Sequence, residues 1–559
     1  MSSTKKEGLK ESEAREEIDS PASPSPSDPP HRGFALFASG RRSVQLVAAL
    51  ALVLSVGWFA YYFMDGMTNA YGDGIAHLNI ARKVVDHPDD SLWQRYVQIG
   101  SPWLPLQTVL MLPLVGNDWM WRTGVAGSIP SMLAFIIGAV SLYLLARRLY
   151  EPEAGAWGHA LPLVSAGIFL LNPSALYMQA TPMSEPIFMG TLVTAAYSLQ
   201  RWIDDRSHRR LFIAGMAMTA ATLARYEAWP VAAASGLIVL FASNGGAGAR
   251  LKALLAYGAI VSTGPVYWLW HNWAIYGNAF EFLTGPYSAR GIFFQNRIKF
   301  GWTRIFVGNA TADVLLMLTM VAVCVGPLLV LMTVLGVGRM AAKRPRSLLR
   351  HSPAFLLLVP FFFHVMSIYK GEAQMFPLSA FGLLNVRYGL PHLLPVALFA
   401  PAVAPFLKRF GWRWAVGAVS ALALLQYGLL ISEGPSQIAV YQDGFRNGLN
   451  TRDARERARF SKILLEDPPQ PTILMHSGAL GPVVMEGGLR FSSLIHEGTI
   501  RWHSLGEGIP ADVRTIIIQQ GDPLDERIGH EAALSRDFEK LFVEQASAGK
   551  IKLYRRVEE

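Results

Sequence analysis

The sequence predicts a polytopic α-helical membrane protein: about eleven transmembrane helices and a small C-terminal α/β domain outside the membrane. Three observations predict it. Of the 559 residues, 51% are hydrophobic and only 16% are charged, where a soluble chain carries about a quarter. The charges are not spread evenly but crowd both ends and short clusters between long apolar runs. Those clusters are basic at every second connection, which is how cytoplasmic loops are marked.

The elements follow in chain order. Residues 1–42 are polar and include Pro21-Ala22-Ser23-Pro24-Ser25-Pro26. Such a segment buries too little apolar surface to offset its ordering entropy, so a disordered cytoplasmic tail is expected. The apolar run that follows is long and has no small-residue cleavage site, so it reads as an uncleaved helix. Residues 43–432 form the expected membrane core, with apolar runs near 44–64, 125–146, 159–178, 185–202, 211–226, 228–243, 254–273, 314–337, 354–369, 390–407 and 414–431. A bilayer needs roughly 17–25 residues per helix, so the shorter runs would borrow polar flanks.

Arg41-Arg42 precede the first run and Arg147-Arg148 follow the second; Arg209-Arg210, Lys252, Arg344 and Lys408-Arg409 continue the alternation. The N-terminus is therefore expected inside, and an odd helix number places the C-terminus outside. Trp103 to Val115 is apolar but too short to span and reads as interfacial or re-entrant. Phe293 to Trp302 mixes aromatic and basic residues, as a helix lying on a membrane does.

Residues 433–559 have the composition of a soluble domain. Strands are expected at 472–476, 513–519 and 551–554, a helix at 537–545, and a turn at Ser477-Gly478-Ala479-Leu480-Gly481-Pro482.

Several function classes are disfavoured. The net charge of +9 would suit nucleic acid, but Lys and Arg mostly flank apolar runs, where topology explains them; no nucleic-acid partner is expected. Cys324 is the single cysteine, which excludes an intramolecular disulfide and a cysteine-based metal site. There is no P-loop, nucleophile elbow, dinucleotide fingerprint or internal repeat.

The candidate chemistry gathers on the predicted outer side. Asp73 lies a few residues past the first helix, with His77 four positions on, sharing its face on a helix. A partly desolvated carboxylate beside lipid can accept a proton from a hydroxyl; an Asp here can equally cap the helix that starts at Gly74 or Ile75. Glu185 opens the fourth run, where it complements the helix dipole or joins Asp73 in holding a divalent cation. Arg387 suits a phosphate, which its fork grips with two donors, or it snorkels at a helix end. Lys370 and Arg225 are weaker cations of the same class. Tyr226, Glu227 and Tyr388 flank these groups as candidate substrate contacts. His364 reads as a hydrogen-bonded packing residue, and Pro391 and Pro395 as shapers of the tenth helix.

Asp73, Asn172-Pro173, Ser184-Glu185-Pro186, Arg225-Tyr226-Glu227 and Arg387-Tyr388-x-x-Pro391, in this order and on one predicted side, resemble the GT-C superfamily of polyprenyl-phosphate-sugar glycosyltransferases. That group includes protein O-mannosyltransferases, lipid A aminoarabinose transferases, lipopolysaccharide-core transferases and oligosaccharyltransferase catalytic subunits. The resemblance covers the first ten runs. It implies a bacterial inner-membrane enzyme that moves a monosaccharide from a polyprenyl phosphate to a lipid, glycan or protein acceptor. Asp73 would be the catalytic carboxylate, Glu185 the second acidic position, and Arg387 the residue at the donor phosphate. Many members carry an Asp-Glu pair where this chain has Asp73-Gly74, which bears on whether a divalent cation takes part. A transporter or flippase of a lipid-linked molecule and a non-catalytic membrane scaffold are the rival readings.

Overall fold

A computed structural model describes residues 40–87, 90–154, 159–296, 305–342, 345–373, 377–379 and 382–557. The expected tail, but for its end, and residues 297–304 of the aromatic-basic segment lie outside them. The chain divides into Met1–Ser43, described only at the start of the first helix, and the compact unit Val44–Glu559.

Among the described residues, five helices are long and apolar enough to cross a membrane: Arg41–Met64, Val125–Tyr150, Ser352–Tyr369, Val386–Phe410 and Trp412–Leu430. The first keeps only 22% of its apolar window buried, and turns Leu46, Leu52, Val53 and Val56 outward. A helix apolar on its outer face has lipid as its solvent. By contrast, 83% of the Val386–Phe410 window is buried, so this helix is the axis of the helical core.

Several expected spans are broken rather than continuous. The run near 159–178 is the pair Ala160–Leu170 and Pro173–Met178, because Pro173 lacks the N–H that would continue the first helix and is placed well at the start of the next. The run near 254–273 divides into Ala247–Val261 and Thr263–Tyr276. The run near 314–337 is Ala310–Val325 and Pro327–Ala341, bent by 114°, with Gly326 at φ 106° between them. Counted as one span, that pair makes six. Prolines also shape the axis helix. It begins as a 3₁₀ turn over Val386–His392, passes through an α segment, Leu393–Phe399, and tightens again over Ala400–Phe410. Pro391, Pro395, Pro401 and Pro405 remove donors along it.

Two helices approach closely where they lack side chains. A Cβ on Gly190, in the helix Glu185–Asp205, would lie 2.5 Å from the Ala134 carbonyl oxygen, and one on Gly138 3.3 Å from the Gly190 Cα.

The C-terminal domain carries a five-stranded mixed sheet. Beside a two-stranded ribbon in the core, β1 (Pro377–Ser379) and β2 (Gly382–Leu383), the sheet strands are β3 (Ile473–Met475), β4 (Leu494–Ile495), β5 (Thr515–Gln519), β6 (Phe542–Ala548) and β7 (Ile551–Arg556). Their order is β4-β3-β5-β7-β6. β3 pairs parallel with β4 and β5, while β5, β7 and β6 are antiparallel. Two expectations are corrected. The helix expected at 537–545 is Ala532–Leu541, and the chain then turns into β6, since Gly549 at φ 62° allows the tight return to β7. The turn expected after β3 is helical over Ser477–Glu486, kinked at Leu480 ahead of Pro482.

This domain shares one core with the segment that follows the first helix. Ile75, Leu78, Ala81, Met111 and Val115 pack with Phe460, Leu464, Ile473, Met475 and Val483. Polar groups fasten the same contact. Asn79 donates to the Gly481 carbonyl at 3.0 Å and accepts from the Trp121 indole at 3.0 Å. Lys83 pairs with Glu497 at 2.9 Å. Asp86 accepts from the Phe491 amide at 2.9 Å, and Arg122 donates to the Leu489 carbonyl at 3.0 Å.

Candidate active site

Four segments far apart in sequence supply one charged cluster. Asp73 lies in the first turn of the helix Gly72–Asp86, whose N-cap is Tyr71. The capping alternative is thereby corrected: Asp73 is already inside the helix, and its carboxylate bonds Arg387 instead. The pairing fits the sequence on both sides. Glycines at 72 and 74 leave the Asp73 backbone uncrowded, and Gly74 sits against Pro182, where an added Cβ would lie 2.9 Å from the ring.

Arg387 comes from the 3₁₀ turn that opens the axis helix. Asn385, in the left-handed conformation at φ 55°, redirects the chain just before it. The Asn385 amide donates to Asp443 at 3.3 Å, and the Asp443 carboxylate also accepts from Asn447 at 2.7 Å. The guanidinium of Arg387 bridges Asp73 and Glu185, with Nε 3.1 Å from Glu185 Oε1. Its flat face lies over the rings of Tyr71, at 5.0 Å, and Tyr388, at 5.5 Å.

Glu185 is the hub. Its Oε1 also accepts from Arg225 Nη1 at 3.0 Å, so one carboxylate oxygen holds two arginines, while Oε2 is buried without a hydrogen-bond partner. Its side chain is fully buried, whereas that of Asp73 is 41% exposed. The hub is thus internal, whereas the Asp73 carboxylate is partly open. Arg225 continues to Glu227 at 2.7 Å and to the Ser184 hydroxyl at 3.1 Å, and lies 5.1 Å over the Tyr388 ring. Glu227 accepts from His364 Nε2 at 3.0 Å, and His364 Nδ1 faces His392 Nε2 at 3.3 Å. The packing role expected for His364 is the one it fills.

His77 lies one turn beyond Asp73, buried, with its ring 5.0 Å from that of Trp103. Burial pushes it down to about 4, against the pull of Asp73 and with the push of Arg225 and Arg387, so it is neutral at ordinary pH. Two candidates stand apart from the cluster. The Tyr226 hydroxyl accepts from the Trp268 indole at 2.9 Å and donates to the Pro102 carbonyl at 3.2 Å, and its ring stacks on Phe282. Lys370 caps the helix Val359–Tyr369, is exposed, and forms no ion pair among the described residues. Tyr71, Asp443 and His392 belong to the site, yet nothing in the sequence marked them.

No group of three or more His, Cys, Asp or Glu side chains able to hold a divalent cation occurs among the described residues. Between Asp73 and Glu185, the two carboxylates expected to hold it, stands the Arg387 guanidinium.

Chemically, the cluster is a pair of guanidiniums held by a buried acid beside a partly open carboxylate. It can bind an oxyanion and accept a proton from a neighbouring hydroxyl.

Residues 114–270 match the family described as dolichyl-phosphate-mannose-protein mannosyltransferase. ArnT from Cupriavidus metallidurans bound to undecaprenyl phosphate superposes with a TM-score of 0.50 at 12% identity, covering 92% of this chain and 98% of that one. Its apo state gives 0.48 at 13% identity, covering 93% and 98%. The apo oligosaccharyltransferase of Archaeoglobus fulgidus gives 0.46 at 10%, covering 92% and 74%. No curated protein matches the chain in sequence.

The chain has the fold of ArnT: an apolar helical core, with five helices, or six counting the bent pair as one, long enough to cross a membrane among the described residues, and a small C-terminal sheet. The resemblance read from the site motifs is therefore matched by the architecture that carries them.

Proposed function

We propose that this protein is an integral-membrane glycosyltransferase. It moves a monosaccharide from a polyprenyl-phosphate donor to a hydroxyl or amine of an acceptor on the extracytoplasmic side. The observation that carries the reading is the shared guanidinium: Arg387 joins the partly open carboxylate of Asp73 to the buried Glu185 inside a GT-C fold.

In the resting cluster Asp73 is neutralised by Arg387. A phosphate entering beside Arg387 and Arg225 competes for their donors and frees Asp73 to act as a base. The acceptor oxygen or nitrogen then attacks the anomeric carbon and the bond from that carbon to the phosphate oxygen breaks. The acceptor proton passes to Asp73, and polyprenyl phosphate leaves. Arg387 and Arg225 stabilise the charge that grows on the leaving phosphate, and Glu185 holds both arginines in place for this. His77, Glu227 and Tyr388 line the site as substrate contacts or supports; Tyr226 and Lys370 belong to its surroundings. No step requires a divalent cation.

The reading includes a bacterial inner membrane, a cytoplasmic N-terminus, an outer C-terminal domain covering the site, and membrane passage or entry by all eleven apolar segments. Lipid, glycan and protein acceptors all remain within its scope.

Membranes containing the protein and a radiolabelled polyprenyl-phosphate sugar test it. Transfer of label to a new product is expected, and Asp73→Asn should abolish it while membrane insertion stays normal. The bent pair Ala310–Val325 and Pro327–Ala341 is a feature transporters share. Label that only moves between leaflets, still on its lipid, would make the protein a transporter and end this proposal.

A further inference from the structure

Three buried polar groups near Asp73 lack partners: Glu185 Oε2, His77 Nδ1, and both side-chain atoms of Gln107. Gln107 is the most telling, because an amide only 1% exposed makes no hydrogen bond at all. Leaving such a group unpaired forfeits its hydration with nothing in return, and native interiors seldom do so without a reason.

Its place in the fold supplies the reason. Gln107 lies on the short helix Leu106–Val115, which runs beside Gly72–Asp86 in the same direction. At their C-terminal ends Arg82 donates to the Val115 carbonyl at 2.9 Å and the Gly116 carbonyl at 3.0 Å. In the middle Leu78 and Met111 share one core. Gln107 sits in the first turn of its helix, as Asp73 and Gly74 do in theirs. At that end too, Trp103 lies 5.0 Å from His77.

We propose that Gln107 and His77 form the sugar-binding side of this site, exchanging hydrogen bonds with hydroxyls of the monosaccharide that the lipid phosphate carries. The inference rests on the donor reading above and extends it to a second wall. A primary amide both donates and accepts, so it matches two adjacent hydroxyls. Neutral His77 offers one further donor or acceptor. Trp103 offers an aromatic face to the C–H side of a sugar ring. The arginines face the phosphate and the unpaired groups face the sugar, so one ligand satisfies both.

The test measures binding to the purified full-length protein in detergent. The probes are undecaprenyl phosphate, bare or carrying mannose, galactose or glucuronate. Wild type should hold at least one sugar-bearing lipid more tightly than the bare lipid. Gln107→Met should weaken that lipid roughly tenfold, as one or two lost hydrogen bonds predict. It should leave the bare lipid unchanged and not lower the melting temperature, since an apolar replacement removes an unpaired amide. Arg387→Met should weaken both kinds of lipid. If Arg387→Met binds bare lipid normally, the phosphate reading fails by itself. If Arg387→Met behaves as expected but Gln107→Met holds the sugar-bearing lipids as wild type does, or wild type never distinguishes them from the bare lipid, the sugar wall is wrong.

Discussion

At the scale of the residue, the site turns on Glu185. Two arginines share one of its oxygens in a fully buried position, so removing its charge leaves each buried cation with a single carboxylate partner, Asp73 for Arg387 and Glu227 for Arg225. Glu185→Gln should destabilise the protein by about 3–5 kcal/mol, the usual consequence of breaking a buried pair, with transfer lost; melting in detergent and the labelled-sugar assay check both. Arg387→Lys should leave the protein folded but reduce transfer about a hundredfold, because a single ammonium cannot bridge Asp73 and Glu185 as a planar fork does.

The His77 imidazole makes a pH prediction. Its folded value, about 4, lies below the ordinary 6.5, because burial opposes the charged form. Between those values the unfolded chain binds a proton that the folded chain refuses. Stability is therefore full above pH 6.5 and declines as the pH falls toward 4. The decline should be smaller in His77→Gln; equal slopes for the two proteins would refute it.

Charged residues of this cluster were legible because an ion in an apolar chain needs an explanation. Asp443 was not: an Asp after the last helix has many ordinary roles, and only the fold brings it under the turn that carries Arg387.

At the scale of the element, the helix Gly72–Asp86 has two jobs. One end carries Asp73 and His77, and the other is fastened to the C-terminal domain through Asn79, Lys83 and Asp86. Asn79→Leu would leave the Gly481 carbonyl and the Trp121 indole unpaired, at about 1–3 kcal/mol each. The expected result is faster proteolysis of the sheet domain together with slower transfer, although Asn79 lies outside the charged cluster. Gly190→Val should disrupt insertion or melting, since the Ala134 backbone leaves no room for a side chain there; a normal melting temperature would show that the two helices can separate freely.

Hydropathy located nearly every helix of the core. It did not reveal the breaks at Asn172-Pro173, Ser262 and Gly326, because an apolar run reads alike whether it is straight or bent. The β4 strand was missed for a different reason: two residues are too few to show a period.

At the scale of the whole molecule, the sheet domain is not an appendage. Its core continues into the segment behind Asp73, which joins the two parts as one packed body. Burial pushes the Glu497 carboxyl up, but Lys83, His496, His476 and the Ser477 hydroxyl outweigh this and hold it well below its usual value. This clasp is present above the ordinary carboxylate range and is lost only as the pH falls through the depressed value.

The shared core also has a temporal consequence. Helix Gly72–Asp86 leaves the ribosome early, while Phe460, Ile473 and Met475, against which it packs, emerge hundreds of residues later. A nascent chain threaded into the bilayer must wait, with one flank of that helix bare, until those residues arrive, so a polypeptide terminated before Phe460 would lack the packing behind Asp73.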